Sequence, residues 1–297
     1  MHKKLLIALM LTLMVGFVAC TSGSDSKETA TTNLVGNDYL VTIKTDFGVM
    51  KAVLYDLTPK HKENFVKLSQ EGFYDSLLFH RIIQGFMIQG GDPTSKNAGP
   101  QDRLGMNGPG YLVDAEITPE LFHRKGALAA ARTGGPSNPD RKSSGSQFYI
   151  VQGRTLTQEE AEINQVALSR AVGTLMRQFP QDTLTSTLRT AFNEGGQEGY
   201  LQKCMELNEE ITKKTGVGFV MPAEQAEVYA SVGGTPQLDG EYTVFGQVIQ
   251  GLDVLDQISA VQTQPGDRPV EDVRMYITVE EMPRAEIASK YSFTDFQ

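Results

Sequence analysis

The chain has 297 residues, 40% of them hydrophobic and 21% charged, enough to bury a full core in one or two domains. Its formal charge is −9, and no basic stripe is present to neutralise phosphates, which excludes nucleic acid as a partner. Isolated basic pairs such as Arg141-Lys142 and Lys213-Lys214 read as solvated faces.

The N-terminus reads as an address. His2-Lys3-Lys4 is a basic n-region, and Leu5 to Val18 is apolar but short for a bilayer span. Ala19 then places a small residue before Cys20. This resembles a bacterial lipoprotein signal, in which residues 1–19 are removed and Cys20 is acylated as the mature N-terminus. Phe17 stands where such signals more often carry Leu, and an ordinary secretory signal with a chance cysteine is the alternative. The resemblance implies an exported chain, anchored through lipid at Cys20 in a bacterial cell envelope and facing the periplasm. Residues 20–37 are rich in Ser, Thr, Gly and Asn and read as a flexible tether. With Cys20 acylated, Cys204 has no disulfide partner. It lies in the helical pattern of Tyr200–Ile211 and is expected to be buried.

Tyr39 to Thr45 alternates apolar and polar residues, Asp46-Phe47-Gly48 turns, and Val49 to Tyr55 resumes the alternation, which predicts a β-hairpin. Thr58 as N-cap, Pro59 at N1 and Gly72 past the end predict a helix over 59–71. Residues 79–94 read as two short strands joined at Gln84-Gly85 and closed by Gly90-Gly91-Asp92-Pro93. Lys96 to Gly110 reads as loop, and further strands are predicted from Gly126 and over Ser146–Gln152. From 155 to 235 the pattern turns helical. Thr157 and Glu160 form a capping box, and apolar residues recur at helical spacing from Ile163 to Phe179, where Pro180 ends the helix. Further helices are predicted around Leu184–Phe192, Leu201–Ile211 and Pro222–Val232. Glu241–Ile249 is β-patterned again, Leu252–Ile258 is a short helix, and Asp272–Glu280 is a closing strand. A mainly β domain, residues 38–154 and 236–282, is therefore interrupted by a helical insertion over 155–235, far longer than a loop. Residues 283–297 read as a C-terminal tail.

Three blocks carry the functional signal. They are Phe79 to Thr94; Gly126 to Arg132 with Ser144 to Val151; and Leu238 to Val248. Together they resemble the cyclophilin-type peptidyl-prolyl cis-trans isomerases. The resemblance implies an eight-stranded antiparallel β-barrel capped by two helices, with an outer groove that isomerises X–Pro bonds in exported proteins during folding. Arg81 matches the catalytic arginine of the family, a side chain that stays charged and offers several fixed donors. Gln89 matches the glutamine that orients it. Phe86, Met87, Tyr149 and Leu238 match the wall of the proline slot, with Tyr242 beside them as groove wall. Ala131, Arg132 and Gln147 match positions that hold the peptide backbone. On the residues alone, Phe86, Met87 and Leu238 are equally readable as core, and Gln89 and Gln147 as surface amides.

Four positions depart from the common pattern of the family. Tyr149 stands where many members have Phe, and its hydroxyl is expected to reach solvent or a partner. Tyr242 takes a place often held by His. Gln237 stands where animal cytosolic members carry Trp, which argues against tight cyclosporin binding. Arg132 is expected to add a preference for acidic groups beside the proline. No cofactor or metal is expected, because the four histidines at 2, 61, 80 and 123 share no metal-ligand spacing. A second reading keeps the fold but makes the groove a holding site for proline-containing or unfolded segments, with the insertion as an extra contact surface.

Overall fold

The structure, a computed structural model, describes residues 34–297; the predicted signal peptide, Cys20 and most of the tether lie outside the described residues. Ten strands and eight α-helices are present among them. The strands are β1 (Asn37–Thr45), β2 (Gly48–Leu54), β3 (Leu77–Ile83), β4 (Met87–Gly90), β5 (Leu112–Val113), β6 (Ala127–Ala130), β7 (Ser143–Ser144), β8 (Phe148–Val151), β9 (Val244–Gln250) and β10 (Arg274–Pro283). Eight of them close into an antiparallel barrel in the order β1-β10-β3-β4-β8-β6-β9-β2, while β5 and β7 form a small separate pair. Closure leaves the barrel without an exposed sheet edge.

Alternation along each strand sends one side chain in and the next out. The interior holds Val41 and Ile43, Met50 and Ala52, Leu128 and Ala130, and Phe148 and Ile150. Two helices close this core. Helix α1 (Pro59–Gln70) contributes Phe65, Val66 and Leu68, and a later helix, Leu252–Ser259, contributes Val254, Leu255 and Ile258. The Phe148 ring packs edge-on to Phe65, Tyr74 and Phe79, so three elements meet on one residue. Helix α1 starts at Pro59 as predicted, but the Thr58 hydroxyl donates to Tyr55 O and does not cap the helix; Glu116 instead accepts from the Lys60 and His61 amides.

The insertion carries α2 (Gln158–Glu162), α3 (Gln165–Gln178), α4 (Thr183–Glu206), α5 (Asn208–Thr215) and α6 (Ala223–Ser231), followed by α7 (Leu252–Ser259) back in the barrel. The capping box at Thr157 and Glu160 is present, but the single predicted helix is two. Ile163 is extended and bridges to Val220, and Asn164 then caps α3 by accepting from Ala167 N. Helix α4 breaks at Gly196, whose φ of 60° and ψ of −150° are not helical. The insertion has its own core, built on Leu168, Leu175, Leu188, Ile211 and Phe219, with Cys204 fully buried among them. It returns to the barrel through Gly233-Gly234. A Cβ at Gly234 would lie 2.3 Å from His123 O and 2.6 Å from the Tyr229 ring, so only glycine lets the two units approach this closely.

Residues 283–297 are not an extended tail. They form α8 (Arg284–Tyr291) and a terminal segment, with Ile287 and Phe296 buried against Leu40, Val53 and Met282. Asp38, whose side chain is fully buried, accepts from Lys62 Nζ at 2.7 Å and from Arg284 at 2.9 Å, so the last helix is also tied by charge. With so few anchoring residues, the helix leaves little periodicity to read in the sequence.

One buried group in the barrel sets a pH dependence. Burial drives the His80 imidazole from 6.5 down to about 4. The unfolded chain therefore takes up this proton first as pH falls below 6.5. Stability owed to the neutral ring is complete above 6.5 and is lost toward pH 4, with a slope of at most about 1.4 kcal/mol per pH unit. Urea titrations at pH 7 and pH 5 are expected to show a larger stability loss for wild type than for His80→Asn; equal losses would count against it.

Candidate active site

One row of residues on the outer face of the barrel runs across five strands. Register pairs Arg81 of β3 with Gln89 of β4, Gln89 with Tyr149 of β8, Tyr149 with Ala129 of β6, and Ala129 with Val244 of β9. At about 4.8 Å per strand, Arg81 and Tyr149 stand two strand spacings apart. The row faces outward because its neighbours Ile82, Ile88, Phe148, Leu128 and Phe245 fill the interior. A register shift between Phe79 and Arg81 lets Phe79 point inward while Arg81 joins the outer face.

Around this row an apolar cluster forms a second, outer core. Met87, Tyr149, Ala129, Ala131 and Val244 are buried in it, and Phe86, Leu238 and Tyr242 pack against it half-exposed. The structure thus brings together residues from β4, β8, the turn before β4 and the segment before β9. Gly91 holds the adjoining loop close. Its φ is +91°, and a Cβ there would meet Ser146 O at 2.2 Å. Beside the cluster lies an open groove of about 640 Å³, lined by Gln89, Ala131, Arg132, Gln147 and the Gly105–Leu112 loop.

Two polar assignments differ from expectation. The Arg81 side chain makes no hydrogen bond to Gln89, its register partner. Its Nε donates to Asp267 Oδ2 at 3.1 Å, and both side chains are about two-fifths exposed. Asp267 sits in the turn before β10 and is fixed by Ile82 N donating to its carbonyl. Gln89 turns to the other side, where its amide donates to Gln147 Oε1 at 3.1 Å and Gln147 Nε2 donates to Asn107 O at 2.7 Å. Arg132 is likewise not available to acidic substrate groups. Its Nε donates to Glu241 O, its Nη2 pairs with Glu241 Oε2 at 3.2 Å, and its guanidinium lies over the Tyr242 ring at 4.5 Å. The side chain is only 9% exposed, so its charge is already answered inside the protein. Arg170 of α3 reaches the same Glu241 at 2.6 Å, linking the insertion to the groove wall.

The Tyr149 hydroxyl has a buried partner that sequence reasoning missed. It meets His123 Nε2 at 2.9 Å, and His123 Nδ1 meets Asp239 Oδ1 at 2.8 Å. Asp239 carboxylate oxygens only accept, so His123 Nδ1 carries a proton, and on the neutral ring the Tyr149 hydroxyl donates to Nε2. Tyr229 of α6 donates to the other Asp239 oxygen at 2.6 Å. Burial, with Tyr242 and Asp239 nearby, pushes the Tyr149 hydroxyl well above its ordinary range and keeps it neutral. The wall of the cluster is therefore braced from behind by a chain of four residues. Nothing local marks it, because His123 and Asp239 are 116 positions apart.

A family model for the "Cyclophilin type peptidyl-prolyl cis-trans isomerase/CLD" matches residues 40–172 and 164–279. The chain belongs to the cyclophilin-type peptidyl-prolyl cis-trans isomerases. Among relatives of this cyclophilin, a putative peptidyl-prolyl cis-trans isomerase of Staphylococcus saprophyticus is 31% identical over 243 residues, covering 82% of this chain and 91% of that protein. One from Staphylococcus epidermidis is 32% identical over 238 residues, covering 80% and 89%. A putative bifunctional phosphatase/peptidyl-prolyl cis-trans isomerase of Streptococcus pyogenes is 34% identical over 236 residues; 78% of this chain aligns, but it spans only 37% of that longer protein. A cyclophilin-type isomerase of Cryptosporidium parvum, crystallised in the presence of the dipeptide Ala-Pro, aligns at 23% identity with a TM-score of 0.46, over 81% of this chain and 98% of that one.

Proposed function

We propose that this cyclophilin isomerises X–Pro bonds at the outer row, with Arg81 as hydrogen-bond donor to the prolyl nitrogen. The uncatalysed bond rotates over a barrier of about 18–20 kcal/mol because the nitrogen lone pair is shared with the carbonyl. In the twisted state that lone pair returns to a pyramidal nitrogen, and a guanidinium beside it binds the twisted form better than either planar one. No nucleophile is needed. Phe86, Met87, Tyr149, Leu238 and Tyr242 supply the apolar slot for the ring, while Ala131, Arg132 and Gln147 border the groove where the peptide backbone lies.

The observation that carries this reading is the register of the outer row, which sets a cation one strand from Gln89 and two strands from the Tyr149 ring. Asp267 engages Nε alone, and the terminal nitrogens of Arg81 have no other hydrogen-bond partner among the described residues. Asp267 thus takes the orienting role expected of Gln89, and Gln89 instead steadies Gln147 at the groove. The test is NMR exchange between cis and trans forms of a short X–Pro peptide. Exchange no faster than in buffer would remove the enzymatic reading and leave the holding one.

The site of action proposed is the cell envelope, on exported chains whose folding waits on proline isomerisation. Its support is the basic and apolar N-terminus ending in Ala19-Cys20. In cells, Cys20→Ser is expected to move the protein from the membrane fraction to the soluble one and to abolish incorporation of labelled fatty acid. Membrane retention without label in that variant would overturn the anchor.

A further inference from the structure

A second cavity, of about 460 Å³, lies where the barrel meets the insertion. It is a different space from the groove beside Ala131 and Gln147, and the two share no lining residue. Its walls include Gly85 at the β3–β4 turn, Gln165 at the start of α3, Gln197 and Leu201 on α4, and Thr235 and Gln237 where the chain re-enters the barrel. Two of these residues immediately precede walls of the apolar cluster: Gly85 precedes Phe86, and Gln237 precedes Leu238. The cavity therefore opens beside the proposed proline slot, on the side the insertion covers.

Its chemistry suits a peptide backbone. Three glutamine side chains offer amide donors and acceptors, and Leu201 adds an apolar patch. The one cation on the wall, Arg154, is already paired with Glu160 through two hydrogen bonds, so no net charge is held out for a phosphate or carboxylate. Thr235 gives an independent sign. It is 1% exposed, it lines the cavity, and its hydroxyl has no hydrogen-bond partner. A buried, unpaired hydroxyl is unfavourable and rare, and this one lies in the cavity wall with almost none of its own surface accessible, so a ligand group reaches it only if the wall shifts. The volume falls within the range of ligand-binding clefts.

We infer that this cavity is a second subsite for the same polypeptide substrate, holding the extended chain on one flank of the isomerised proline. The inference rests on the proposed reading of the outer row as the proline site. It gives the insertion a role in lengthening the stretch of substrate that is recognised, so that unfolded chains bind better than short peptides.

The test compares one X–Pro tetrapeptide with versions extended by four residues toward either end, using NMR exchange and the chemical shifts of the Gln165 and Gln197 side-chain amides. One extended peptide is expected to show a KM about tenfold below that of the tetrapeptide, with kcat unchanged, and to shift both amide signals. The double variant Gln165→Ala, Gln197→Ala changes two exposed residues and is expected to lose the gain while turning over the tetrapeptide normally. No gain from either extension, or a gain that survives in the double variant, overturns the subsite. If the wild type fails to isomerise even the tetrapeptide, the outer-row reading fails instead. The amide shifts then still decide whether extended chain occupies the cavity.

Discussion

Replacing Arg81 with alanine is expected to lower kcat for X–Pro exchange by roughly 10²- to 10³-fold, the usual consequence of removing one donor aimed at a transition state. Stability should barely change. The ion pair with Asp267 is about two-fifths exposed on both sides, and such pairs contribute about 0–1 kcal/mol. Arg81→Lys should recover only part of the rate, because a lysine ammonium cannot bond Asp267 and the prolyl nitrogen with the same fixed fork. Asp267→Asn offers a finer reading. It keeps an acceptor for Nε but weakens it, so kcat should fall modestly while the tetrapeptide KM stays the same. NMR exchange with denaturant melts on the same samples separates rate from folding. An Arg81→Ala protein that is folded and fully active would sink the proposed mechanism.

The second large effect falls on adjacent residues of β8 that face opposite ways. Phe148 is 1% exposed and packs on three aromatic rings inside the barrel. Phe148→Ala should destabilise the protein by about 3–5 kcal/mol through lost burial and the cavity left behind. That is a large share of a typical domain's total stability. Tyr149→Phe keeps the ring of the outer wall but removes the donor to His123, leaving a buried nitrogen without its partner. A loss of about 1–3 kcal/mol is expected there, with isomerisation of a short peptide retained. Equilibrium urea unfolding of both variants checks the pair. A Phe148→Ala protein as stable as wild type would contradict the inward placement, and a Tyr149→Phe protein without loss would make the hydroxyl bond idle.

Much of the barrel was legible because alternation reports directly on burial. Tyr39–Thr45 and Val49–Tyr55 pair as β1 and β2, and the proline and glycine around α1 mark its ends. The outer row was legible one residue at a time, through resemblance, but its polar wiring was not. Gln89 was expected to serve Arg81. The actual partner, Asp267, lies 186 residues away in a turn whose Pro265-Gly266 signal speaks only of chain reversal. Arg132 looked like a free cation until Glu241 folded against it from another segment. The break at Ile163 was hidden because its apolar side chain fits a helical stripe as well as a bridge to Val220. Helix α8 was missed for the opposite reason, since it buries only Ile287 and offers no stripe at all.

The strand order has a consequence for synthesis. β1 finds both of its neighbours in β2 and β10, and β3 also waits for β10, which begins at Arg274. β6 and β2 wait for β9, on the far side of the insertion. A nascent chain that has not yet delivered its last two strands therefore carries four unfilled sheet edges, each a template for pairing with another chain. Such contacts close late and slowly, because their partners are far apart in sequence. A chain with this topology gains by emerging unfolded and completing itself in one step, and a protein cut short before Arg274 is poised to aggregate, with no smaller barrel to fall back on.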